Sequence, residues 1–206
     1  MNIGIINYGM GNINSVVSAL KYLGVSWRIL ETHHDFQSVS CFILPGVGSF
    51  KKAMQNLNKK NLSEEIKNQV LIKKKKILGI CLGMQLLGNS STEDGLNEGL
   101  SFINNKVDKF NFETNDNLSL PHVGFNNLSK ISDNFELFKN IEKSANFYFV
   151  HSYKMNFNKN IKNFALCRYG NDFLAAFQKE NIFGVQFHPE KSQSNGIQLI
   201  YNFIKL

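Results

Sequence analysis

The sequence predicts an α/β fold: a mostly parallel sheet covered by helices on both faces, with antiparallel strands added along one side. Three observations carry this. In the first half, short apolar runs alternate with segments of helical spacing, and such alternation implies parallel pairing. In the second half, apolar runs follow one another across turn signals, the pattern of hairpins. The 206 residues fit one domain, long enough to bury a sizeable core.

Residues 3–7 form an apolar strand bounded by Gly9 and Gly11, and residues 15–23 have helical spacing that stops at Gly24. Strands follow at 26–31 and 41–44, the second running into a Pro-Gly turn. Residues 49–57 and 62–72 read as helices, 77–80 as a strand and 82–87 as a helix start. Further strands are expected at 99–110, 126–131, 147–150, 164–169, 172–178 and 182–187, before a closing helix over 196–204. Residues 139–144 are a polar link, and the Asn- and Lys-rich stretches 111–117 and 156–163 read as solvated loops. In a parallel sheet ligands gather at the carboxyl ends of the strands, where Tyr8, Gly46 and Cys81 fall.

Composition narrows the function. No apolar segment approaches the roughly 18 residues of a membrane span. The first residues carry no basic leader and read as a strand. The net charge is +7, but its densest run, Lys73-Lys74-Lys75-Lys76, ends a helical pattern, where cations offset the helix dipole. No basic stripe with interleaved aromatics accompanies it, so a nucleic-acid partner is not expected. Cys41, Cys81 and Cys167 are an odd count without framework spacing, and a reducing cytoplasm is the expected compartment.

Gly79-Ile80-Cys81-Leu82-Gly83 follows the apolar pair Ile77-Leu78. A strand ending in Gly-x-Cys-x-Gly makes a sharp turn into a helix and lifts the thiol above the sheet. The N–H groups of that helix favour thiolate and can hold an oxyanion. Alone, the pentapeptide also fits a buried structural cysteine. The segment Gln186-Phe187-His188-Pro189-Glu190 alters the balance. In extended chain, residues i and i+2 share a side, so Glu190 can fix the tautomer of His188 while the other ring nitrogen faces the thiol. Cys81, His188 and Glu190 then have the roles of a triad. The N–H of Leu82 is one oxyanion donor, and Gly46-Val47-Gly48 offers a second unless it is an ordinary turn.

These residues resemble the Cys-His-Glu triad of the class I glutamine amidotransferases, a three-layer α/β/α family. Within it the chain is most similar to the glutaminase subunits of imidazole glycerol phosphate synthases. The likeness runs through Tyr8-Gly9-Met10-Gly11-Asn12, Leu44-Pro45-Gly46-Val47-Gly48-Ser49-Phe50, Pro121-His122-Val123-Gly124 and Phe147-Tyr148-Phe149-Val150-His151-Ser152-Tyr153. The resemblance implies hydrolysis of L-glutamine to glutamate and ammonia, with no cofactor and no metal. It also implies a heterodimer with a (β/α)8-barrel cyclase of histidine biosynthesis. It places Gln85, Glu93, His151, Ser152 and Tyr153 at the substrate, and Asn12, Tyr148 and Lys191 at the partner face. The chain departs from the family at Asn7, where Asp is usual, and at Phe125, where Trp is usual. Residues 99–107 also lack glycines common there. Three rival readings follow: a glutaminase feeding a sugar-amidinating enzyme of surface glycans, a thiol hydrolase or redox protein, and a non-catalytic binding subunit.

Overall fold

A computed structural model describes residues 2–112 and 118–206. The chain runs β1 (Asn2–Ile6), α1 (Ile13–Tyr22), β2 (Ser26–Leu30), β3 (Cys41–Gly46), α2 (Phe50–Lys59), α3 (Leu62–Lys67), β4 (Lys76–Cys81) and α4 (Leu82–Leu86). It continues with β5 (Ser90–Ser91), β6 (Asn97–Glu98), β7 (Lys106–Lys109), β8 (His122–Ile131), β9 (Asn146–His151) and β10 (Tyr153–Met155). The last elements are β11 (Asn163–Tyr169), β12 (Asn171–Lys179), β13 (Ile182–Val185) and α5 (Gln193–Lys205). Among the described residues the main sheet has the order β2-β1-β3-β4-β13-β12-β11-β8-β9. From β2 to β13 every pair is parallel, and from β13 outward every pair is antiparallel. The sheet is therefore the parallel core with an antiparallel extension that the two halves of the sequence predict.

Alternation along the central strands divides the core in two. Ile3, Ile5, Ile43, Leu78 and Ile80 pack with Val16 and Leu20 of α1 and with Leu199, Ile200 and Phe203 of α5. Ile6, Phe42, Leu44 and Ile77 face the other way, onto Phe50 and Leu57 of α2, Ile66 of α3 and Leu86 of α4. The result is a three-layer α/β/α arrangement. Lys75 and Lys76 of the basic run are used locally: their ammonium groups donate to the carbonyls of Phe36 (2.8 Å) and Phe203 (3.2 Å). Among the described residues no helix is long and apolar enough to cross a membrane.

The structure corrects several boundaries. The strand expected at 99–110 is confined to Lys106–Lys109. Residues 99–103 instead spend their backbone N–H groups on the carboxyl end of α4. Leu100 donates to Leu86 O (2.8 Å), Ser101 to Gly88 O (2.9 Å) and Phe102 to Leu87 O (3.0 Å). The last carbonyls of a helix have no partner within it; those of Met84 and Gln85 accept from Leu87 N and Gly88 N, and this loop supplies donors for Leu86 and the two residues after it. The helix expected over 62–72 changes to a π-helical turn at Asn68–Ile72. β8 begins at His122, four residues before the expected strand, β13 stops at Val185, and α5 begins at Gln193. A second small sheet, β10-β7-β5-β6, was not anticipated. Of the loop expected at 111–117, residues 113–117 lie outside the described residues.

Glycine is required where α4 meets the sheet. A Cβ on Gly83 would overlap the carbonyl oxygen of Leu44, and one on Gly79 would stand 2.7 Å from Gly83 O and Met84 N. Gly83→Ala is expected to cost about 3 kcal/mol and lower Tm by about 6–12 °C, read by thermal melting. An unchanged melting curve would contradict this packing.

Candidate active site

The parallel register of β3 and β4 sets Gly46 opposite Cys81, at the carboxyl ends of both strands. Cys81 ends β4 with φ 54° and ψ −112°, a conformation that L-residues rarely adopt. This is the sharp elbow expected from Gly-x-Cys-x-Gly. Because α4 has only five residues, it offers Cys81 the open N–H groups of a first turn rather than a long dipole. Leu82, just beyond the sulfur, supplies the first of these.

On the neighbouring parallel strand, His188 follows β13 and enters the turn Pro189–Lys191. Its Nδ1 lies 2.8 Å from Glu190 Oε1, and both side chains are 2% exposed. A carboxylate only accepts, so Nδ1 carries the hydrogen and Nε2 is left for the sulfur. Among the described residues no group is within hydrogen-bonding geometry of that buried Nε2. Burial opposes a charged imidazole here, yet the nearby Cys81 sulfur and the bonded Glu190 carboxylate outweigh it and raise His188 to about 10. The thiol and the imidazole, 107 positions apart in the chain, are thus brought together with Glu190 behind them.

Cys81 opens on a cleft of about 510 Å³. Val47, Gly48 and Ser49, Leu82 and Gln85 of α4, Glu93, and Val150 through Tyr153 line it with Cys81. Of the three residues expected to supply the second oxyanion donor, Val47 and Gly48 line the cleft, the latter with φ 101°. Gly46 lies below, where a Cβ would meet the Tyr8 hydroxyl and Gly83 N. The carboxylate of Glu93 accepts from Phe50 N (2.7 Å) at the start of α2, and burial raises its pKa despite that bond. Gln85 spends both hydrogens of its amide, on Tyr153 O (3.0 Å) and Gln186 Oε1 (2.9 Å). Toward the cleft it can therefore only accept.

His151 is no base. Its Nδ1 donates to Tyr153 O (2.7 Å) and its Nε2 lies 3.0 Å from His122 Nδ1. Since a carbonyl only accepts, the tautomers follow: Nδ1–H on His151, Nδ1–H on His122, and Asn126 Nδ2 donating to His122 Nε2 (2.6 Å). Burial lowers His122 to about 4 and His151 to about 3, so both rings are neutral at pH 7.

Tyr148 and Lys191 meet beside His188 and are not among the residues that line the cleft. The Lys191 ammonium lies 5.9 Å from the centre of the Tyr148 ring, which is 6.4 Å from the His188 ring and 5.4 Å from Phe125. Asn12, at the start of α1, stands apart beside Asn7, whose amide donates to Glu31 (2.6 Å). An Asp at position 7 would set two carboxylates together, so the departure at this site is matched by its neighbour. Gln186, His122 and Asn126 also belong to the site, although no motif in the sequence marks them as such. Spacing alone points to Gln186, because residues 186, 188 and 190 share the i, i+2 spacing that relates His188 to Glu190.

Residues 4–206 match the family described as glutamine amidotransferase class-I, and the chain belongs to that family. Among its relatives is imidazole glycerol phosphate synthase subunit HisH of Leptospira interrogans, 42% identical over 205 residues, covering 99% of this chain and 100% of that protein. Subunit HisH 1 of Campylobacter jejuni strain RM1221 is 45% identical over 204 residues, with 99% and 100% covered. Subunit HisH 2 of Pseudomonas aeruginosa is 41% identical over 203 residues, with 98% of each covered. In fold the chain is similar to a crystal structure described as a glutamine amidotransferase, with TM-score 0.75 and 16% identity over 98% of this chain and 97% of that one. The PurLQS structure from Thermotoga maritima gives 0.73 and 17% over 99% and 97%.

The neutral histidine pair has a pH signature. Their folded pKa values lie below the ordinary 6.5, so the stability they contribute is complete above pH 6.5 and is lost as pH falls toward 4. Replacing His122 by Gln is expected to reduce the loss of unfolding free energy between pH 7 and pH 4.5 by on the order of 2 kcal/mol, measured by urea titration. Equal losses in both proteins would show that the ring is not held neutral.

Proposed function

We propose that this chain is the glutaminase subunit of an imidazole glycerol phosphate synthase. It hydrolyses L-glutamine and passes ammonia to a (β/α)8-barrel cyclase that makes imidazole glycerol phosphate and AICAR. One observation carries the chemistry: a single imidazole, His188, joins the Cys81 thiol to a buried carboxylate beside an open cleft. The full-length likeness to proteins named HisH supports the acceptor.

Cys81 Sγ attacks the carboxamide carbon while His188 holds the thiol proton on Nε2. His188 then returns that proton to the departing nitrogen, giving ammonia and a glutamyl thioester that water hydrolyses. Glu190 fixes the tautomer and stabilises the imidazolium. The N–H of Leu82 and an N–H of the 46–48 loop receive the oxyanion. Each such donor is worth roughly 3 kcal/mol in the barrier, so the orientation of that loop sets the rate. Glu93 and the Gln85 oxygen bind nitrogen of the substrate, and the Ser152–Tyr153 backbone receives its amino-acid end. The partner docks on the face of Phe125, Tyr148 and Lys191, with Asn12 as a further contact. Delivery across a closed contact keeps ammonia from becoming ammonium in water.

Cys81→Ala is expected to abolish glutamine turnover, and Glu190→Gln to lower kcat by on the order of 10²–10⁴. Glutamine turnover that survives Cys81→Ala would refute the assignment. The isolated chain is expected to be a weak glutaminase that accelerates strongly when the barrel cyclase and its acceptor are added. The assay follows glutamate and imidazole glycerol phosphate together. Glutamate released without imidazole glycerol phosphate would assign the ammonia to another acceptor, such as a sugar.

A further inference from the structure

Gln186 is fully buried, and no step described above uses it. Its backbone is pinned by a bond from its N–H to Ala175 O (2.8 Å). At the far end of the side chain, Nε2 lies 3.7 Å from Cys81 Sγ. The other terminal atom, Oε1, accepts from Gln85 Nε2 at 2.9 Å.

A glutamine amide can turn end for end, and which atom faces the sulfur decides whether it helps or hinders an anion. Here the surroundings determine the choice. The carbonyl of Tyr153 can only accept, and it lies 3.0 Å from Gln85. The nitrogen of Gln85 must therefore be the end that faces both Tyr153 and Gln186. Turning Gln85 over would set two oxygens against each other at Tyr153. With a donor fixed against it, Gln186 must present Oε1 to Gln85 and its N–H to the sulfur. Tyr153 O is itself held by His151 Nδ1 (2.7 Å).

We propose that Gln186 is a positioning residue for the nucleophile: its amide N–H supports the sulfur of Cys81 as an anion and steadies it beside His188. Gln85 and the Tyr153 carbonyl hold that amide in its donating orientation. This rests on reading Cys81 as the nucleophile. A hydrogen bond to a charged group, in a site shielded from water, changes the population of the charged form by about tenfold or more. The sulfur thereby has a side-chain donor in addition to the backbone N–H groups of α4.

The test uses the isolated full chain and iodoacetamide, with peptide mass mapping to separate Cys81 from the buried Cys41 and Cys167. Alkylation needs neither glutamine nor a partner. In Gln186→Met, which keeps the bulk and removes the donor, Cys81 is expected to react about tenfold more slowly at pH 7. The deficit should close as pH rises and alkali supplies the thiolate without help. Gln85→Met, which frees the Gln186 amide to turn, should give a smaller deficit with the same pH trend. The double variant should be no slower than Gln186→Met alone, because both act through one bond. An unchanged rate at pH 7 would overturn the proposal, as would a deficit that persists at every pH, which marks lost access or packing. Should Gln186→Met melt below the assay temperature, the Gln85→Met profile decides by the same two criteria. Failure of the underlying reading looks different: glutamine turnover then survives Cys81→Ala.

Discussion

Cys81 can stand where it does only because α4 lies directly on the backbones of β3 and β4, with no side chain between them. Gly83 sits against the Leu44 carbonyl, and Gly79 against Gly83 O and Met84 N. That contact forces the chain to leave β4 within one residue, and Cys81 absorbs the turn at φ 54°. Such a backbone costs of order 1–3 kcal/mol and persists only where its surroundings over-determine it. Here they do: Ile80 and Leu78 anchor the strand in one apolar layer, while Leu82, Met84 and Leu86 anchor the helix in the other. Residues 99–103 then close the open carboxyl end of α4. The strained residue is thus held from both sides, with its side chain aimed at the cleft.

The same buried region pushes the pKa values of three histidines in opposite directions, and the difference lies in what each ring touches. His188 has a carboxylate on Nδ1 and the sulfur of Cys81 near Nε2, so its pKa is raised against its own burial. His122 and His151 face an amide, each other and a carbonyl, with no anion to offset desolvation, so they stay neutral. Their bonds run one way, from Asn126 through both rings to Tyr153 O. There they meet the bond from Gln85, which in turn orients Gln186 toward the sulfur. In a low dielectric, a network in which each donor finds an acceptor is rigid, and one reversed amide would leave two acceptors facing each other.

The parallel half of the fold was legible because burial on both faces writes each central strand as an apolar run, as in Ile77–Ile80. The triad was legible because its chemistry needs fixed spacings: the glycines around Cys81, and the single residue between His188 and Glu190. Within the strand expected at 99–110, the apolar residues Leu100, Phe102 and Ile103 suggest a strand but do not form one. They are buried under the end of α4, and sequence periodicity does not say which partner a backbone will choose. The small sheet escaped notice because β5 and β6 are two residues each, too short to alternate. His122 and His151 lie 29 positions apart, and only the register of β8 against β9 makes them neighbours.

That register also explains how one strand can touch so much of the site. β9 is the outermost strand of the main sheet, and an uncovered edge leaves N–H and C=O groups without partners. At Tyr148 the turn after β13 covers it: His188 N donates to Tyr148 O (2.8 Å), and Tyr148 N donates to Ser192 Oγ (2.9 Å). Two residues on, the Val150 carbonyl faces the Cys81 thiol at 3.8 Å. The base is therefore hung from the same strand that borders the nucleophile. On its paired side, Phe125 of β8 lies opposite Tyr148, and both rings reach the surface beside Lys191. Phe125 is 45% exposed, so the apolar area that a neighbour would cover lies one residue pair from the backbone that fixes His188. A shift of β9 by even a fraction of an ångström would move the base and the wall of the cleft together. No separate messenger between surface and site is needed, because the strand at the surface is already part of the site.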